Sequence, residues 1–169
     1  MYQVPVAAMK IYSRLEFTNI NCTSMDPKVG EFDYCYLKSV NRSYKYFSAR
    51  YKLYVLPVKA IRINFSLWKR YNGYKPFLYN VTFDACKYLR NINSNRVIKF
   101  FYESVAGFSN VNHTCPYNHD IIMEKLPTDF VNQRVTEILQ FPEGDYLVEL
   151  RWIRFGNLSA MFRLYGTLS

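Results

Sequence analysis

The stretch Asn112-His-Thr-Cys-Pro-Tyr-Asn-His119-Asp120 gathers His113, Cys115, His119 and Asp120 within eight residues. All four are side-chain types that ligate zinc. Two arguments oppose a metal site. Cys115 as a ligand would strand Cys86 as a free thiol among four otherwise pairable cysteines, and a glycan on Asn112 would crowd the site. The stretch therefore reads as a turn in which Pro116 stiffens the chain and the polar side chains satisfy nearby backbone groups. A catalytic use of either histidine with Asp120 would need a nucleophile, and the chain has no G-x-S-x-G, H-E-x-x-H or phosphate-cradling glycine loop. The expectation is a protein that binds without catalysing, with no metal and no cofactor.

A second set of chemistry-bearing residues points to processing. Asn21, Asn41, Asn64, Asn80, Asn112 and Asn157 each open an N-x-S/T sequon, where roughly one or two would arise by chance in such a composition. Cys22, Cys35, Cys86 and Cys115 form an even set without C-x-x-C spacing, which suits two disulfides in an oxidising compartment. Of three pairings, Cys22 with Cys35 and Cys86 with Cys115 needs the least chain ordering; each bridge is worth on the order of 3–4 kcal/mol in the chain-entropy model. Sequons and cysteines together predict a secreted, extracellular glycoprotein. Residues 1–13 stand apart: Met1–Ala8 lacks a basic n-region and a long apolar core, so it does not read as a signal peptide, whether because the start is incomplete or because export is unusual.

Composition bounds the rest. The 20.2 kDa chain is half hydrophobic and 18% aromatic, enough for one sizeable core, with no linker, low-complexity run or repeat to divide residues 14–169. A net charge of +9 favours anionic partners such as acidic head groups or sulphated glycans. Its cations are dispersed among aromatics, and no nucleic-acid motif is present. No apolar run reaches the eighteen or so residues a transmembrane helix needs, so no membrane anchor is expected.

The elements that must position these residues are mostly strands. Ile61, Ile63, Phe65 and Leu67 alternate with Arg62, Asn64 and Ser66, and Phe77, Tyr79, Val81 and Phe83 alternate with Asn80 and Thr82, the period of a half-buried strand. Between them, Asn72-Gly73 predicts a two-residue hairpin with positive φ at both turn positions. Further alternation predicts a strand around Leu15 and Phe17 just before Cys22, one from Phe47 to Val55 ending at Pro57, one through Tyr146, Val148, Leu150 and Trp152, and a last one through Ala160, Phe162 and Leu164. In the middle, Val97, Phe101, Val105 and Phe108 step by four, four and three behind a cap at Ser94 or Asn95, one face of a helix. A shorter helical turn is expected at Asp84–Arg90, with the Cys86–Cys115 bridge fastening this excursion to the sheet. The fold class is mainly β: an antiparallel β-sandwich or β-cup of seven to nine strands with one helical insertion.

The runs Phe17-Thr-Asn-Ile-Asn-Cys22, Tyr34-Cys35-Tyr-Leu-Lys38, Asn72-Gly-Tyr-Lys-Pro-Phe-Leu-Tyr79 with Asp84-Ala-Cys86, Asn112-His-Thr-Cys-Pro-Tyr117 with His119-Asp120, and Gly144-Asp-Tyr146 resemble a large insect family of small secreted proteins. That family includes the CheB contact-chemosensation proteins. Its pattern covers nearly the whole chain from about residue 15, and it is distantly similar to the ganglioside-activator and ML lipid-recognition proteins. The resemblance implies an immunoglobulin-like β-cup opening onto an apolar lipid pocket, and carriage or presentation of a pheromone or other semiochemical. A missing signal peptide departs from the family's pattern.

In such a cup the inward residues Ile63, Phe65, Phe77, Tyr79, Phe101, Val148, Leu150 and Phe162 are the candidate ligand contacts, with Lys or Arg at the rim for an acidic head group. Burying a chain there would gain about 0.8 kcal/mol per methylene. The alternative is that the same residues fill a closed core, leaving a monomeric extracellular module that binds a receptor through an exposed aromatic patch.

Overall fold

Strong alternation becomes strand wherever it was read. A computed structural model describes residues 14–135 and 140–169; the segment 1–13 lies outside them. Among the described residues the order is β1 (Leu15–Ser24), β2 (Gly30–Ser39), β3 (Lys45–Leu53), β4 (Arg62–Tyr71), β5 (Gly73–Asp84), α1 (Ala85–Arg90), a 3₁₀ turn at Ile92–Ser94, α2 (Arg96–Ala106), β6 (Ile121–Pro127), α3 (Thr128–Arg134), β7 (Gly144–Arg154) and β8 (Asn157–Leu168). All pairings are antiparallel, in a five-stranded sheet of order β1-β8-β7-β4-β5 and a three-stranded sheet of order β2-β3-β6. This is the mainly β sandwich that the alternation predicts.

Several details differ from the sequence reading. Strand β1 continues through Cys22 to Ser24, and β3 stops at Leu53, leaving Val55 exposed. At the β4–β5 turn, Tyr71 faces Gly73 and only Gly73 has positive φ, at 88°. The Asn-Gly pair thus does not make the two-residue turn expected of it. That geometry occurs at β7–β8, where Arg154 faces Asn157 and the turn residues Phe155 and Gly156 have φ of 54° and 74°. Helical structure also exceeds one insertion, because α3 follows β6 directly, with Asp129 in its first turn and Arg134 in its last, the placement favoured by the helix dipole.

The expected helix forms as α2, with the Asn95 side chain accepting from the Val97 and Ile98 N–H groups at 3.0 and 3.1 Å. Its inward face begins one residue later than the stepping suggested. Ile98 is the buried apolar residue, Val97 is only half-buried, and Phe108 lies beyond the helix end, against Phe130. The two sheets meet where Phe47 of β3 touches Phe17 of β1 and Phe162 of β8, with ring centroids 5.9 and 6.3 Å apart. They meet again where Phe32 and Tyr51 surround Trp152. Beyond β7 the wide sheet is faced by α2 instead, with Phe101 4.5 Å from Phe65 and 6.4 Å from Tyr79.

Covalent and ionic ties hold these layers. Cys22 of β1 is bonded to Cys35 of β2, joining the two sheets, and Cys86 of α1 is bonded to Cys115 in the loop before β6. Asp120 accepts from Arg50 Nε and Nη2 at 3.2 and 2.8 Å and from the Leu53 N–H at 3.0 Å, pinning the start of β6 to β3. The Arg50 guanidinium is the main cause holding the Asp120 carboxyl below the usual carboxylate range. On the outer face, buried Glu149 accepts from Arg151 Nε at 2.7 Å and Arg163 Nε at 2.9 Å.

Two outcomes follow. A carboxyl whose pKa is lowered by folding stabilises the protein above the unfolded value of about 3.9 and loses that contribution as pH falls through the lower native value. Asp120→Asn is therefore expected to lower Tm at pH 7 by a few degrees and to narrow its gap to wild type between about pH 4 and pH 2, as read by thermal melts across pH. The pair Cys22→Ser/Cys35→Ser opens the inter-sheet loop and should lower stability by about 3 kcal/mol, measured by urea unfolding.

Candidate functional site

Between the sheets and α2 lies a cavity of about 350 Å³, within the range of small-ligand sites. It divides the core. One cluster centres on Phe17, Phe47 and Leu126, a second on Tyr51, Val58 and Tyr117, and a third on Leu67, Tyr146 and Leu168. The wall is built by period-two alternation on both sheets: Ile61, Ile63, Phe65 and Leu67 from β4 and its approach, Phe47, Ala49, Tyr51 and Leu53 from β3, and every second residue of β7 from Tyr146 to Arg154. Helix α2 closes one side with Ile98, Phe101, Tyr102 and Val105, the i, i+3, i+4, i+7 set of one helical face.

Of the residues singled out from sequence, Ile63, Phe65, Phe101, Val148, Leu150 and Phe162 stand on this wall. Phe77 and Tyr79 do not. They face inward from β5, the edge strand of the wide sheet, but Phe77 packs on Phe141 and Tyr146, and Tyr79 lies edge-on to Phe101. Tyr51 and Trp152 also line the cavity, and both belonged to alternations already visible in the sequence. One more step of the β7 alternation past Trp152 reaches Arg154, the one charged residue of the wall among the described residues.

The cavity's polar groups are few and mostly partnered. Ser104 Oγ donates to the Phe100 carbonyl and accepts from Arg134 Nε; Ser159 Oγ donates to the Asn157 carbonyl at 3.4 Å. The Tyr117 hydroxyl donates to the His113 carbonyl, and burial pushes it up to about 12. Three atoms are different. Tyr51 Oη and Arg154 Nε and Nη1 are buried without a hydrogen-bond partner among the described residues.

In the loop that holds the His-rich stretch, Tyr117 lines the cavity, whereas His113, Cys115, His119 and Asp120 do not. His113 Nε2 and His119 Nε2 are 2.7 Å apart, and His119 Nδ1 meets the Asp120 carbonyl and the Asn110 amide. The Asp120 carboxylate is engaged by Arg50 and Leu53 rather than by either histidine, and Cys115 is in its disulfide. Among the described residues no group of three or more His, Cys, Asp or Glu is arranged to hold a metal ion.

The sequon asparagines spread over the outer surface. Asn21, Asn41, Asn80, Asn112 and Asn157 are exposed, whereas Asn64 is half-buried and its amide donates to Asn80 Oδ1 and Thr82 Oγ1, both at 2.9 Å. Among the described residues no helix is long and apolar enough to cross a membrane.

No curated protein matches the chain. A family model described as a protein of unknown function (DUF1091) matches residues 63–148, just over half of the chain. The matched span runs from the inward row of β4, through β5 and the helical cover, to the middle of β7. The chain belongs to the DUF1091 family.

Proposed function

We propose that this chain is a secreted glycoprotein that carries or presents a lipid or other small hydrophobic ligand in its cavity, acting by binding and not by catalysis. The observation that carries this reading is the cavity itself. A filled sandwich interdigitates its two inner faces, whereas here about 350 Å³ of space is walled almost wholly by aliphatic and aromatic side chains. Such a space gives an acyl or terpenoid chain its affinity by removing methylenes from water.

Two further features fit the proposal. The disulfides and the exposed sequons suit an extracellular setting, and the resemblance to the CheB-containing insect family and to ML lipid-recognition proteins supplies the role, carriage of a pheromone or semiochemical in chemosensory perception. The +9 charge would bring such a carrier to anionic surfaces. A second reading, an interaction module for an extracellular receptor, draws on the outer face of the β2–β3 hairpin. There Tyr36, Val40 and Tyr44 are exposed, and Tyr34, Tyr36, Tyr44 and Tyr46 form a chain of ring contacts. It does not account for the cavity.

Native mass spectrometry with organic extraction, on the glycosylated protein secreted from insect cells, tests the proposal. A stoichiometric hydrophobic species is expected to co-purify. Val148→Trp places an indole in the cavity from the middle of β7 and should reduce ligand occupancy at least about tenfold, with an unchanged far-UV spectrum. A clean apo mass, with no uptake of fatty acids, hydrocarbons or phospholipids offered in excess, would favour the receptor reading.

A further inference from the structure

The inward row of β7 reads Tyr146, Val148, Leu150, Trp152, Arg154. Four of these are what an apolar wall requires, and the fifth is a cation. Arg154 is 5% exposed, and its immediate neighbour, the large apolar Phe155, is 68% exposed. That is the reverse of what burial favours, because a charged group removed from water without a partner is strongly disfavoured. No carboxylate among the described residues forms an ion pair with Arg154. Its guanidinium lies over the Phe155 ring, 4.8 Å from the centroid, and Nε and Nη1 are buried with no acceptor among the described residues.

The second orphan shares that end of the cavity. Tyr51 comes from the opposite sheet, 3% exposed and wedged between Phe32 and Trp152, with ring centroids at 4.9 and 5.1 Å. Its phenol occupies space that only a glycine leaves open. A Cβ on Gly30 would stand 2.5 Å from Tyr51 Oη. Burial pushes the Tyr51 hydroxyl up to about 12, with the Arg154 charge opposing, and burial likewise pulls Arg154 below the ordinary arginine range. Tyr51 and Arg154 both line the cavity, and the neutral Tyr51 O–H and the Nε and Nη1 N–H groups of Arg154 have no acceptor among the described residues. Buried polar atoms are paired in the great majority of cases, and three unpartnered donors on residues that line one apolar cavity are what a bound acceptor would satisfy.

We infer that the cavity takes an amphiphile with a carboxylate head, a fatty acid, bound tail-inward along the apolar wall with its carboxylate on Arg154 and Tyr51. The assignment rests on the carriage reading above. It adds polarity and orientation to it: a guanidinium N–H donates to the carboxylate in a charge-assisted hydrogen bond, and the phenol donates to it as well. A hydrocarbon fills the same volume but leaves the donors unpaired, and an ester offers them only a neutral carbonyl acceptor in place of a charged one. Discrimination by unpaired buried donors is far stronger than discrimination by chain length.

The test uses the full chain and a neutral fluorescent probe, N-phenyl-1-naphthylamine, displaced at pH 7.4 by dodecanoate or by methyl dodecanoate. Wild type should take up the probe and prefer the acid by about tenfold or more, the range expected for a hydrogen bond to a charged group. In Arg154→Met the preference for acid over ester should fall to within about threefold, and Tyr51→Phe should lose part of the preference. Arg154→Met removes an unpaired buried charge, so its apo Tm should equal or exceed that of wild type. Uptake of the probe with equal displacement by acid and ester would overturn the head-group assignment and leave carriage standing. So would a full preference retained in Arg154→Met. Failure of wild type to take up the probe would remove carriage and the head-group assignment together.

Discussion

A three-stranded sheet cannot cover a five-stranded one, and most of this structure follows from that mismatch. The narrow sheet reaches β1, β8 and β7 through Phe47, Phe32 and Tyr51. The inner face of β4 and β5 would otherwise meet water, with Ile63, Phe65, Leu67, Phe77 and Tyr79 on it. Helix α2 supplies the missing cover by laying Phe101 on Phe65. A helix packed on a sheet does not interdigitate with it as a second sheet would, and the cavity lies where the two kinds of layer join.

The ties between layers sit where such a join needs them. The Cys22–Cys35 bridge fixes the edge strand of the wide sheet to the edge strand of the narrow one. The Cys86–Cys115 bridge returns the helical excursion to the loop that leads into β6, and the isolated bridge between Val58 and Tyr117 runs beside it. Arg134 of α3 donates to Ser104 Oγ and to the Phe100 carbonyl of α2, so the two helices flanking the cavity are hydrogen-bonded to one another. A cavity costs dispersion contacts on its lining. Covalent closure of two loops offsets part of that loss.

The buried polar atoms without partners among the described residues are on Tyr51 and Arg154, not in the stretch richest in chemical side chains. His113, His119, Asp120 and Cys115 are occupied by one another's neighbours: a ring contact, backbone carbonyls, an arginine and a disulfide. Arg154 and Tyr51 come from strands far apart in sequence, and neither belongs to a motif. What marks them is buried polar atoms without a hydrogen-bond partner among the described residues.

Sequence alone determined the class of fold, because alternation with period two is a local property of a half-buried strand and survives any arrangement of the sheets. It also held the disulfide pairing with the shortest loops, the Asn95 cap and most of the inward rows of β4 and β7. It did not determine strands β2 and β6, whose burial patterns are irregular: both lie at the edges of the narrow sheet, β2 carries a bulge and β6 runs into a helix. The hairpin geometry moved from Asn72-Gly73 to Phe155-Gly156 because strand pairing sets the turn register. Only the tertiary structure decided that the inward residues surround space instead of filling it, and that Phe77 and Tyr79 stand outside the cavity wall. Those outcomes depend on the distance and width of the layers, which no local pattern encodes. The same holds for Arg154: its place in the β7 alternation was legible, but its burial without a hydrogen-bond partner for Nε and Nη1 among the described residues is a property of what is folded around it.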